Sequence, residues 1–196
     1  MKATFFERLG AYLIDMIIVS FIFSFICLGF GSSVSKAEEK MQELDNMLIE
    51  KTITPEEYLE EYTIVLYDYQ KENILQSAIS LSLTIAYYVI FQYMNKGQSI
   101  GKKLLNIRVV DKDTNKPVSI LKGLLRSLIV FSIISSLLNI AFLYIFNANN
   151  YLYSYLTLLL LEGIFTIITT IFVLYRKDRR GLHDMISNTI VIKESR

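Results

Sequence analysis

Apolar and charged positions divide the 196-residue chain into four long oily stretches separated by charged segments. The stretches cover about 11–30, 74–93, 124–146 and 151–175. A helix needs roughly 20 apolar residues to cross a hydrocarbon core about 30 Å thick, and each stretch meets that length. The first carries one charge, Asp15, and the second carries none. The third has only Arg126, near its start, and the fourth has Glu162 near its middle. Tyrosines such as Tyr12, Tyr93, Tyr151 and Tyr175 gather near the ends, where a ring with one polar edge suits the headgroup level. The pattern predicts an all-α membrane protein, a four-transmembrane-helix bundle within a single domain of residues 1–196. Small residues at Gly31, Ser32 and Ser33 follow the first stretch as they would in a cleaved leader. The acidic Glu7 and Asp15 speak for a retained span.

The segments between the spans have two textures. Residues 31–73 predict an outer helical hairpin inserted between the first two spans. Its first arm, from Ser35 to Lys51, places Met41, Leu44 and Leu48 on one face. Thr54, Pro55 and Glu57 then have the form of a helix start, with Thr54 as N-cap, Pro55 in the first turn and Glu57 closing a capping box. Tyr58, Tyr62, Leu66 and Tyr69 continue as a stripe without a breaker into the second span. Such stripes either pack the two arms together or form a docking surface for a partner protein outside the cell. The segment 95–121 opens with a short basic amphipathic helix over Ser99–Asn106, followed by an alternating strand, Ile107–Val110. After the fourth span, Gly181 breaks the helix, Leu182–Ile186 makes one apolar turn, and Thr189–Ile192 alternates again. The two strands are predicted to pair as a small cytoplasmic β element.

Charge then orients the bundle. Net charge is only +1, but residues 31–73 hold four of the 20 basic residues (Lys36, Lys40, Lys51 and Lys71) and 11 acidic ones. The other 16 basic residues lie at the N-terminus, between the second and third spans, or after the fourth, counting Lys122 and Arg126 at the start of the third. Lysine and arginine concentrate on the cytoplasmic side of plasma-membrane proteins, so both termini are predicted to be cytoplasmic in a multi-pass cell-membrane protein. The implied partner is a bilayer with an anionic inner leaflet, not a nucleic acid. Lys102, Lys103, Arg176, Lys177, Arg179 and Arg180 are the candidate lipid contacts.

Composition changes little: 53% hydrophobic residues and a mean hydropathy of +0.39 are suggestive only beside the pattern. One cysteine, Cys27, excludes an internal disulfide, and one cysteine with one histidine argue against a zinc site. No cofactor is implied.

Three blocks of residues carry a family resemblance. They are Phe6–Asp15 (FERLGAYLID), Gly97–Asp111 (GQSIGKKLLNIRVVD) with Leu125-Arg126 beyond it, and Arg179–Asp184 (RRGLHD) leading to Thr189-Ile190-Val191. In order and spacing the chain resembles the RDD family of bacterial membrane proteins, named for one arginine and two aspartates. By position, the resemblance implies Arg8 as that arginine, Asp15 as the first aspartate and Asp184 as the second. It supports fold and location, with ion or small-solute transport as the suggested activity. The outer hairpin and Glu162 are not part of the family pattern.

Charged side chains within a span cost about 2.5–3.5 kcal/mol at its centre, so they face the protein interior with partners or mark an ion path. Asp15, Arg126 and Glu162 are the candidates. Arg126 enters its span from the same side as Asp15, so the two are expected either to pair or to leave Asp15 in a proton or cation path. Glu162 has no basic residue at its depth and is expected near Ser132, Ser135, Ser136, Thr166 or Ser82. It is either a strut between helices or a titrating transport group. Asp184 is expected to cap or to form a salt link to Arg8, Arg126 or the basic helix, not to form a catalytic pair with His183. Gly97 and Gly101 fail the phosphate-loop spacing and instead suit close packing of the basic helix on the span ends. No catalytic residues emerge, and no enzyme is expected. The leading expectation is a transport or ion-exchange component, with a homo-oligomer enlarging the narrow interior. The alternative is an accessory membrane scaffold working through its acidic hairpin.

Overall fold

The computed structural model describes residues 1–29 and 36–194. The expected far end of the first span at Phe30 and the Gly31–Ser33 stretch lie outside the described residues. Helix α1 (Phe5–Leu28) begins before the oily stretch because Thr4 and Glu7 cap it reciprocally. The Glu7 N–H donates to Thr4 Oγ1 at 3.3 Å, and the Thr4 N–H donates to Glu7 Oε2 at 2.8 Å.

The predicted hairpin is present as α2 (Lys36–Ile49) and α3 (Pro55–Glu72). The Thr54–Glu57 capping box closes as expected, with the Thr54 N–H donating to Glu57 Oε2 at 2.9 Å. Ala37 and Leu44 of one arm pack on Val65 of the other, flanked by Met41, Tyr58 and Tyr69. The apolar stripes therefore meet each other. At Asn73 the second arm passes into α4 (Ile74–Ile85), so hairpin and span are nearly continuous. The hydroxyl of Tyr67 donates to the carbonyls of Leu143 and Phe146 at 3.1 and 2.9 Å, satisfying acceptors that a helix end leaves open.

Beyond α4 the span widens into a π-helical turn, Ala86–Phe91, and ends in the short α5 (Gln92–Met94). Then come α6 (Ile100–Leu104), β1 (Ile107–Asp111), α7 (Ile120–Val130), α8 (Ile133–Ile145), α9 (Ala148–Tyr175), α10 (Leu182–Ile186) and β2 (Thr189–Lys193). The strands pair as predicted, and they do so antiparallel, with Val109 opposite Val191. The start of the chain adds to this sheet: Lys2 bridges Ile192, and the Ala3 N–H donates to the Val191 carbonyl at 3.0 Å. Ala3, Ala11, Ile107, Val109, Val118 and Val191 form a small core between sheet and α1.

Among the described residues, three segments, α1, Ile74–Met94 and α9, are each long and apolar enough to cross a membrane. The expected third span over 124–146 is not a straight helix. It is the pair α7 and α8, which meets the length and hydropathy requirement only jointly and bends by 64° at its break. The cause lies at Ser132, whose φ of 52° is left-handed and cannot continue a right-handed helix. Only 6% of the most apolar stretch of α9 is buried within the protein, and Phe21, Phe25, Leu160 and Ile167 face outward. A surface this apolar is stable only where lipid is the solvent.

Helix α6 approaches α1 closely because Gly101 has no side chain. A Cβ there would overlap the Ala11 carbonyl oxygen and come within 2.9 Å of Asp15 Oδ1. Gly97, at φ 91°, lies equally close to the Val109 carbonyl. Gly101 thus serves the expected close packing of the basic helix on a span end, whereas Gly97 serves an approach to β1 instead. Gly101→Ala is expected to lower apparent stability by about 1–3 kcal/mol through overpacking, read as a depressed thermal midpoint by circular dichroism in detergent. An unchanged midpoint would place α6 away from Ala11.

Candidate functional site

The charged residues converge at the sheet end of the bundle, and they do so in two groups. Asp15, on the face of α1 turned toward α6, is 1% exposed. Its carboxylate accepts from Tyr87 Oη at 2.7 Å, Ser99 Oγ at 2.5 Å and the Gly101 N–H at 2.7 Å. The π-helical turn brings Tyr87 to this position, a common location for such irregularity. The Tyr87 hydroxyl also accepts from the Ile100 N–H at 3.2 Å. Asp15 is therefore held by neutral donors, and the expected ion pair with Arg126 does not form. Three donors within reach satisfy the carboxylate, and Arg126 has a different partner.

That partner is Asp184, which is fully buried in the first turn of α10. Its side chain accepts from Arg8 Nη1 at 2.6 Å, from Arg126 Nη1, and from the Gly181 N–H at 3.2 Å. Arg126 also donates to Thr189 Oγ1 at 3.2 Å. The salt link predicted for Asp184 is thus made to both arginines. Arg180, expected at the lipid surface, instead turns inward and is 5% exposed. It donates from Nε to the Thr189 carbonyl at 2.9 Å and from Nη2 to the Asp184 carbonyl at 2.8 Å. Its guanidinium matches two carbonyls presented by the turn between α10 and β2. Arg176, Lys177, Arg179 and Lys103 are exposed, as a surface contact requires.

Lys102 is a second correction to the expected lipid contacts. Its ammonium points into the protein and donates to Gln92 Oε1. Burial first, and the neighbouring Arg126 second, pull its pKa down to about 7. His183 is likewise buried among Arg126, Arg8 and Lys102, and desolvation with those charges holds it well below the usual histidine range. Its Nε2 lies 3.6 Å from Asp184 Oδ1.

A series of cavities leads away from this cluster. The innermost, of about 160 Å³, is lined by Arg8, Asp15, Lys102, Arg126 and His183 with apolar walls from α1, α7 and α9. The next, about 210 Å³, shares Tyr12, Tyr88, Val130 and Phe131 with it and reaches Ser132 and Thr84. The outermost, about 570 Å³, shares Thr84 and Phe131 and extends to Gln70 and Asn73 at the hairpin end. Glu162 lines a side cavity of about 160 Å³ with Ser132, Ser135, Ser136 and Asn139. Three of its expected neighbours are therefore present, and Ser82 and Thr166 are not among them. Its Oε1 is buried without a hydrogen-bond partner among the described residues. Phe131 lines the first three of these cavities, and its ring stacks on Tyr88 at 3.5 Å between centroids and on Tyr12 at 6.2 Å.

Several of these residues were not singled out by sequence reasoning. Tyr87, Gln92 and Phe131 look like ordinary span residues, and no local signal announces a π-helical turn. Ser99 did carry a signal, as the capping residue of α6 whose Oγ accepts from the Lys102 N–H at 3.4 Å. Among the described residues, no cluster of three or more candidate metal ligands occurs.

Replacing Asp184 by Asn would leave two buried guanidinium groups facing a neutral amide. A loss of about 3–5 kcal/mol in apparent stability is expected, measured as detergent-resistant folded fraction on heating. His183 adds a pH dependence. Unfolding frees the ring to take a proton near its ordinary value of 6.5, whereas the folded site resists protonation. Its contribution is complete above about pH 6.5 and is lost as pH falls toward the depressed folded value. The thermal midpoint is expected to drop between pH 7.5 and 5.5, and His183→Asn to flatten that slope.

Comparison with known proteins agrees with the geometry. No curated protein and no solved structure matches the chain. The sequence model of the RDD family matches residues 2–188, a span that takes in Arg8, Asp15, Arg126 and Asp184. This multi-pass membrane protein belongs to the RDD family of bacterial integral membrane proteins.

Proposed function

We propose that the protein is a membrane transport or ion-exchange component with four crossings, the bent pair α7–α8 counting as one. The single observation that carries this reading is the run of cavities from Gln70 and Asn73 to Asp15, interrupted by the aromatic stack at Phe131. Polar cavities at a broken helix are where membrane transporters bind ions and solutes. The left-handed Ser132 beside Phe131 supplies a hinge, because strain at a single residue is relieved by small rotations of the two half-helices. By the excess of lysine and arginine, the sheet end and both termini lie in the cytoplasm.

The two intramembrane carboxylates take different parts. Asp15, held by three donors, orders the inner mouth by fastening α6 to α1. Glu162 retains a buried oxygen without a partner in a cavity lined by serines, and is the group that exchanges a proton or cation. The accessory-scaffold alternative receives less support, because the apolar stripes of the hairpin are occupied by each other.

Purified protein in liposomes is expected to move protons or monovalent cations, followed with an internal pH dye under an imposed sodium, potassium or proton gradient. Glu162→Gln should reduce the rate by at least roughly tenfold, the effect expected for loss of a group that carries the proton. The double variant with Asp15→Asn should abolish flux. Flux by the double variant equal to that of the unaltered protein would end the proposal, as would flux no greater than that of empty liposomes.

A further inference from the structure

Arg8 uses only one end of its guanidinium. Nη1 binds Asp184, while Nε and Nη2 are both buried and have no partner among the described residues. Those two nitrogens form the edge of the guanidinium that presents two parallel N–H groups, the arrangement that binds two oxygens of one phosphate or carboxylate. The side chain is 12% exposed, and it lines the innermost cavity. Thr169 Oγ1 lines the same cavity and is also buried without a partner. Two independent elements, α1 and α9, therefore bring unused donors to one space.

The charge around that space is unbalanced in the same sense. Arg8, Arg126 and Lys102 line the space with the carboxylate of Asp15, and Asp184 pairs with both arginines; the more distant Asp178 acts on Arg8 from outside the lining. Excess buried cationic charge is costly, and a bound anion removes the cost by supplying both charge and acceptors. The remaining walls are apolar, from Phe5, Leu9, Tyr12 and Val173 among others. A free inorganic anion would leave those walls without a partner, whereas an amphiphile occupies both halves.

We infer that the cavity between α1 and α9 binds the phosphate headgroup of an anionic lipid. Arg8 grips the phosphate through Nε and Nη2, Thr169 donates from its hydroxyl, and the acyl chains leave along the apolar wall into the bilayer. The site differs from a leaflet contact at Arg176 or Arg179, which are exposed and attract headgroups only by charge. It does not depend on the transport reading, since a resident lipid would order the sheet end whether or not the cavities conduct.

The test uses the full chain in dodecyl maltoside, with phosphatidylglycerol and inorganic phosphate as separate probes. Native mass spectrometry is expected to retain one phosphatidylglycerol per chain, and added lipid to raise the thermal midpoint. Arg8→Lys keeps a cation for Asp184 but removes the two-pronged edge, and should weaken lipid affinity by roughly tenfold or more. Thr169→Val breaks no ion pair and should weaken it several-fold, so it decides the matter if the Arg8 variant fails to fold. The double variant Arg176→Gln, Arg179→Gln should bind as the unaltered protein does. Equal lipid retention by the unaltered protein and the Thr169→Val and Arg8→Lys variants overturns the proposal, as does loss of binding in the Arg176, Arg179 double variant alone. An inorganic phosphate response matching that of the lipid overturns the assignment of an amphiphile.

Discussion

A carboxylate withdrawn from water needs positive partners, and at Asp184 that need ties distant parts of the chain together. Arg8 comes from the first turn of α1, Arg126 from α7, and Asp184 itself from the short helix before the last strand. In a low-dielectric interior, none of these charges is tolerable alone. Where they meet, the ends of two membrane-embedded segments are fixed against each other. The sheet can then close over them, with the chain start added at its edge. The tethering of α6 through Asp15 is the neutral counterpart of this clasp: three hydrogen bonds, with no second charge needed.

Most of the scaffold could be read from periodicity, because lipid and backbone leave few choices. Long apolar stretches must be helical, and alternation at 107–110 and 189–192 allows one pairing under the bundle. Local chemistry was equally legible where it is local, as at the capping box of Thr54 and Glu57 and at Gly101 beside α1. What escaped depends on three-dimensional competition. Arg126 stands at a depth similar to that of Asp15, so sequence could not tell that Asp184 would claim it. Lys102 and Arg180 sit in basic runs whose other members face outward, and only the packed structure selects which cation turns in. The break at Ser132 has no proline or glycine to announce it, and the π-helical turn has no composition signature.

The bend between α7 and α8 explains how a bundle with so few crossings has interior space. Straight helices packed side by side fill the room between them, leaving voids few and small. A 64° change of direction separates the two halves and exposes Ser132, Ser136 and Asn139 to the cavities on either side. The stacked rings of Tyr12, Phe131 and Tyr88 lie beside the break, and Phe131 lines the cavities there. Interior space and its polar lining therefore have one common origin in the left-handed residue.

The distance along the chain between Arg8 and Asp184, 176 residues, also imposes an order on assembly. Asp184 is synthesised after helices α3 to α9, so its clasp with Arg8 cannot form while those helices are being made. Until then a long side chain at the end of an apolar helix can reach lipid headgroups for its counter-charge.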